Sequence, residues 1–196
     1  MRGIVQGSGI DSSLNEQGRN QAKAFFDHFS NVGFDRIYTS ALKRTQETVQ
    51  AFIDLGIPHE SLAALNEISW GNKEGQKITP EEDAYYHWML RQWQEGNTSM
   101  KIEGGESPDD VANRQRPAIQ HILSRDDKNI LICMHGRAIR ILLCQLLNYP
   151  MKSMDMFEHE NLCLYLLNQN NGVFSVEKYN YIGHLAGLPR YTKVIN

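Results

Sequence analysis

The chain has 196 residues, enough for one domain with a real core, and its 41% hydrophobic and 22% charged residues match ordinary globular proteins. A net charge of −3 supplies no global basic field, which argues against nucleic acid or an anionic membrane as partner. No run of 18 apolar residues occurs, and the polar, Gly-rich opening "MRGIVQGSGID" lacks a signal-peptide pattern, so neither a membrane span nor secretion is expected.

In chain order, "SLNEQGRNQAKAFFDHFSNVGF" offers Ser13 as N-cap with Glu16 three residues on, a capping-box pattern. Ala22, Phe25, Phe26 and Phe29 then follow at helical spacing, and Gly33 is expected to end the helix. "DRIYTS" reads as a short strand, and "ALKRTQETVQAFIDLG" as a second helix closed by Gly56. "IPHESLAALNEISWGNKEGQ" is mostly extended or looped. Two further helices open on cap-and-proline pairs, Thr79-Pro80 and Ser107-Pro108, and Pro117 is expected to kink or shorten the second. "NILICMHGRAIRILLCQLL" is a buried strand that breaks at His135 and restarts as a helix. "NLCLYLLNQ" and "GVFSVEKYN" predict a hairpin around Asn170 to Gly172, with an irregular tail after Tyr181.

Strands alternating with helices predict an α/β fold in a single domain over 1–196. Residues 72–104, rich in Tyr85, Tyr86, Trp88 and Trp93, read as an insertion beside the core. Cys133, Cys144 and Cys163 lie in apolar stretches and match no metal or redox spacing, so they are expected to be buried free thiols in a reducing cytoplasm.

Ligands of open α/β sheets bind at the carboxyl ends of strands, where His135 sits. Gly136 permits close backbone approach, and the first turn of the next helix presents free N–H groups, an arrangement that suits an anion. "YTSALKRTQETVQ" repeats the geometry with Arg44, whose guanidinium can fork onto a phosphate. Glu67 and Glu74 flank Trp70-Gly71, and a carboxyl beside an apolar ring can act as a general acid. "GGES", residues 104–107, is turn punctuation before a helix cap. His28, His59, His87, His121, His159 and His184 show no ligand spacing such as H-x-H or H-E-x-x-H and read as surface or satisfied core residues.

Taken together, these pieces resemble the histidine phosphatases, the group that includes cofactor-dependent phosphoglycerate mutases. "GIVQGSGIDSSLNEQGRNQA" is similar to the family's first loop and helix, "YTSALKRTQET" to its phosphate-binding segment, "NEISWGNKEG" to the segment bearing the acid, and "MHGRAIR" to its second histidine motif. The resemblance implies a three-layer α/β/α fold with a mostly parallel central sheet, phosphoglycerate-mutase-like, and needs no metal or cofactor. It implies that Arg44 binds the phosphoryl group, that Glu67 rather than Glu74 protonates the leaving oxygen, and that His135 donates a hydrogen bond to phosphoryl oxygens. Gln6, Gly7 and Gly136 would border the substrate, the insertion would shape the leaving-group pocket, and Arg137 stands where relatives often carry a smaller residue.

The resemblance also implies a nucleophilic histidine within Arg-His-Gly, just before "RGIVQG". No Arg-His-Gly occurs in these 196 residues. The expectation is therefore a sequence truncated before its first strand and inactive as written. The implied activity is a metal-independent phosphomonoesterase working through phosphohistidine on a small phosphorylated metabolite in the cytoplasm, with neither nucleic acid nor membrane as partner and a homodimer left open. The alternatives are a phosphate-binding pseudophosphatase, a phosphoglycerate mutase and, more distantly, a metallohydrolase.

Overall fold

The computed structural model describes residues 5–189. Residues 1–4 and 190–196, which hold the start of the Gly-rich opening and the end of the tail expected to be irregular, lie outside the described residues. The elements run α1 (Glu16–Phe29), β1 (Arg36–Thr39), α2 (Lys43–Asp54), β2 (His59–Ser61), α3 (Pro80–Glu95), α4 (Pro108–Leu123), β3 (Ile130–Cys133), α5 (Gly136–Leu146), β4 (Leu164–Asn170) and β5 (Val173–Tyr181), with short 3₁₀ turns between them.

Three strands form a parallel sheet in the order β2-β1-β3. Side chains alternate across it because successive residues of a strand point to opposite faces. On one side Ile37 and Leu131 meet Phe25 of α1 and Val49 and Phe52 of α2. On the other, Tyr38 meets Leu65 and Ile122 of α4. The result is the expected α/β/α layering. A third cluster joins Trp70, Met89 and Trp93 of α3 to Val111 of α4 and Ile141 and Leu143 of α5, so α3 supplies core residues.

β4 and β5 pair antiparallel across a two-residue turn, Asn171-Gly172, with φ of 50° and 82° at these positions. Both positive values suit the tight hairpin turn that Asn-Gly favours. The hairpin forms a sheet of its own beside the parallel one.

Three local expectations are corrected. Asn15, not Ser13, caps α1, its side chain accepting from the Gly18 N–H at 2.8 Å. α1 ends at Phe29, with Ser30 in the right-handed region, so Gly33 lies in the following loop and caps nothing. Pro117 does not shorten α4, which continues past it to Leu123; that residue and Asn113, whose carbonyl loses its donor, are both exposed to water. The segment expected to be mostly extended or looped contains β2, a three-residue strand too short to carry its own hydrophobic pattern and formed by pairing with β1. The caps at Thr79 and Ser107 are as expected; Ser107 and Asp110 complete a reciprocal capping box.

Candidate active site

β1 and β3 are adjacent and parallel, so both release their chains at the same end of the sheet. Arg44, in the first turn of α2, and His135, the residue before α5, therefore converge although 91 positions separate them. The Arg44 Nε–H donates to His135 Nδ1 at 3.2 Å. Its two terminal nitrogens donate to the carbonyls of Ile10 (2.6 Å) and Gly7 (3.3 Å), which fixes the plane of the guanidinium. Burial pulls the Arg44 pKa below its ordinary value, and Glu67, Asp11 and Glu74 oppose that shift; an arginine remains charged regardless.

The tautomer of His135 follows from its partners. A guanidinium N–H can only donate, so Nδ1 carries no proton. Nε2 then holds the proton and donates to Ser40 Oγ at 2.8 Å. Ser40 Oγ also accepts from the Leu42 N–H at 3.1 Å, leaving its own proton for Thr45 Oγ1 at 2.8 Å. Thr45 in turn donates to the Leu42 carbonyl at 2.8 Å. This relay runs from α2 through His135 and back to the first turn of α2. Burial, then the charges of Arg44 and Arg114, then His159, push the His135 pKa down to about 3, so the ring is neutral at physiological pH.

Glu67 lies against the N-terminus of α5. One carboxylate oxygen accepts from the N–H groups of Ile68 and Ala138, both at 2.9 Å, and the other from the Arg137 N–H at 3.1 Å. The free N–H groups of a helix's first turn thus already hold an anionic group, as the positive end of the helix dipole favours. Glu74 faces the same loop from the other side, accepting from Ser69 Oγ (3.2 Å) and the Trp70 N–H (2.9 Å).

The structure thus brings Arg44, His135, Glu67, Gly7 and Gly136 together, whereas Gln6 is exposed and makes no side-chain hydrogen bond to this group among the described residues. The imidazole proton of His135 points to Ser40 in this arrangement. Arg137 contributes its backbone here, while its side chain turns away into the core. There it pairs with Asp155, accompanied by Arg140, donates to Tyr86 Oη at 3.2 Å and lies over the Trp93 ring.

Several participants escape a reading by motif. Ser40 and Thr45 look like ordinary turn and helix residues until His135 arrives from β3. Arg114 of α4 donates to the carbonyls of Ala64, Asn66 and Glu67 and pairs with Glu106, whose other oxygen accepts from the Ser69 N–H. The Glu of "GGES" is thus a cross-brace behind Glu67; its signal was the eight-residue spacing to Arg114, which two turns of helix bring close. His159 packs its ring flat on Gly136, where a Cβ would come within 2.8 Å of it, so only glycine fits. Burial pushes the His159 pKa down to about 4. The other five histidines are held elsewhere: His28 against the Phe29 ring, His59 by Thr39, His87 by the Asp83 carbonyl, His121 by Glu60 and His184 by the Leu162 carbonyl.

The three cysteines form no disulfide, and burial pushes Cys133 up to about 12 and Cys144 to about 11, leaving them as protonated thiols. Among the described residues no three His, Cys, Asp or Glu side chains gather as metal ligands, and no helix is long and apolar enough to cross a membrane.

Comparison with known proteins adds an independent line. The chain is 30% identical over 151 residues to 6-phosphofructo-2-kinase/fructose-2,6-bisphosphatase 1 of Rattus norvegicus, covering 76% of this chain but 30% of that protein. It is 34% identical over 147 residues to a 2,3-bisphosphoglycerate-dependent phosphoglycerate mutase of Brucella ovis, covering 69% of this chain and 70% of the mutase. Its fold superposes on the crystal structure of the alpha-ribazole phosphatase from Shigella flexneri with a TM-score of 0.78 at 25% identity, covering 91% and 89% of the two chains. The family model for the histidine phosphatase superfamily (branch 1) matches residues 1–182. The chain belongs to the histidine phosphatase superfamily, branch 1.

Proposed function

We propose that the chain holds the phosphoryl group of a small phosphate monoester and that its activity is metal-independent phosphomonoester hydrolysis through a phosphohistidine. The observation that carries this reading is the meeting of Arg44 and His135 at 3.2 Å, beside two α5 N–H groups that already hold a carboxylate. A phosphoryl oxygen has the same demands as that carboxylate, and Arg44 supplies fixed positive charge next to it. In this reading Glu67 leaves the helix terminus when phosphate arrives and protonates the leaving oxygen. His135 orients Arg44 and turns its proton to the phosphoryl group, Gly7 and Gly136 allow close approach, and Gln6 lines the rim. The segment 72–104 shapes the pocket for the alcohol.

Transfer through nitrogen needs an imidazole aimed in line at phosphorus. Both ring nitrogens of His135 are already engaged, by Arg44 and Ser40. That observation favours a second reading, in which these residues bind phosphate esters without turning them over, as a pseudophosphatase does.

The test is calorimetric titration with inorganic phosphate, alongside hydrolysis of an aryl phosphate with and without chelator. Saturable phosphate binding is expected, and Arg44→Ala should weaken it roughly 10- to 100-fold, the worth of one charged hydrogen-bonding partner at about 1.5–3 kcal/mol. Chelator should change nothing. The phosphoryl-site reading fails if wild type does not bind phosphate or if R44A binds it equally well. Aryl phosphate turnover by the chain would reject the pseudophosphatase reading.

A further inference from the structure

Beside the phosphoryl site lies a cleft of about 720 Å³, within the range that holds a small ligand. The two share a wall. The loop whose Gly7 and Ile10 carbonyls hold Arg44 also lines the cleft with Ser8, Gly9 and Ile10, and Asn66, the residue before Glu67, faces it too. An ester whose phosphoryl group sits on Arg44 has this space for its alcohol.

The chemistry of the lining is selective. Among the described residues the cleft carries two carboxylates, Glu74 and Glu103, the hydroxyls and amides of Ser8, Asn66, Ser69 and Asn72, and no Lys, Arg or His. The nearby Lys73 is turned to Glu82 at 2.7 Å. One oxygen of Glu74 is shielded from water beneath Gly9 and has no hydrogen-bond partner among the described residues, so no donor offsets its negative charge on that side. A leaving group with hydroxyls or an ammonium finds acceptors in Glu103 and in the amide and hydroxyl side chains of the lining. One with a second phosphate or a carboxylate would stand beside two like charges, with no cation among the described lining residues to balance it.

Resting on the phosphoryl-site reading above, we infer that this cleft selects phosphate monoesters of polar alcohols that carry no second anionic group, with Glu103 and Glu74 as the discriminating residues. Bisphosphates and phosphoglycerates are disfavoured by the same charges.

The test compares four probes by calorimetry at one ionic strength: inorganic phosphate, glycerol 1-phosphate, O-phosphoethanolamine and 3-phosphoglycerate. Glycerol 1-phosphate and O-phosphoethanolamine should bind at least ~10-fold more tightly than 3-phosphoglycerate, the scale on which opposed charges reject a partner. Glu103→Lys, a substitution at an exposed position, should narrow that gap severalfold. If inorganic phosphate binds but 3-phosphoglycerate matches or exceeds the other esters, or if E103K leaves the ratio unmoved, the selectivity is wrong and the phosphoryl site stands. If inorganic phosphate does not bind, both fall together.

Discussion

At the scale of single residues, His135 shows how partners set a protonation state. Arg44 occupies its Nδ1, Ser40 takes its Nε2 proton, and burial beside two arginines makes a second proton costly. The consequence for stability has a definite sign. In the unfolded chain the imidazole titrates at its ordinary value near 6.5, whereas in the folded chain it does so at about 3. Between these values the unfolded state binds the extra proton and the native state does not, so this contribution to stability is complete above pH 6.5 and is lost as pH falls toward 3. The slope is about 1.4 kcal/mol per pH unit once the unfolded imidazole is charged. His135→Gln, whose amide can still accept from Arg44 and donate to Ser40, should remove roughly that slope between pH 6 and 4 in urea unfolding. An unchanged slope in the variant would mean that His135 is not the group excluded from protonation.

Between elements, the site depends on two loop segments crossing at close range. Gly71 has a φ of +52°, and a Cβ there would lie 2.1 Å from the Glu103 carbonyl oxygen and 2.5 Å from the Gly105 nitrogen. The segment after Glu67 is thereby pressed onto the "GGES" turn, and Glu106 and Arg114 lock it from behind. Gly71→Ala adds a left-handed backbone cost of about 1–2 kcal/mol to a backbone clash that no side-chain rotation relieves. The expected loss is at least ~2 kcal/mol in denaturant unfolding, together with weaker phosphate binding as Glu67 and Arg44 lose their frame. Unaltered stability in G71A would show that the crossing is looser than these distances state.

Across the whole molecule, α3 joins the core through Trp93. Its ring stacks on Trp70 at 5.9 Å, lies beneath the Arg137 guanidinium and donates its N–H to the Met100 carbonyl at 2.8 Å. The segment that borders the cleft is therefore fastened to α5, the helix whose N-terminus holds Glu67. Trp93→Ala removes a fully buried ring at a cost of about 3–5 kcal/mol, which for a domain of this size lowers Tm by roughly 10 °C. A shift of only a degree or two in calorimetry would mean that α3 rests on the domain without being packed into it.

Much of this architecture was readable from local pattern. Helical spacing, the caps at Thr79 and Ser107, the Asn-Gly turn and the apolar run before His135 depend on neighbours within a few residues, and each is found in the structure. Arg44 and His135 were singled out because strand ends followed by helix starts are local features too, and Glu67 because it lies beside Trp70-Gly71 in a segment resembling the family's acid-bearing one. Other features depend on who arrives from far away along the chain. β2 exists because β1 lies beside it; the proton of His135 is directed by Arg44 and Ser40, 91 and 95 residues distant; and Arg114 braces Glu67 across 47. Short-range propensity carries no information about such pairings, since a hydrogen bond or a charge acts through distance in space. The polar wall of the cleft is of the same kind, assembled from three stretches that meet only when the sheet and its helices have packed.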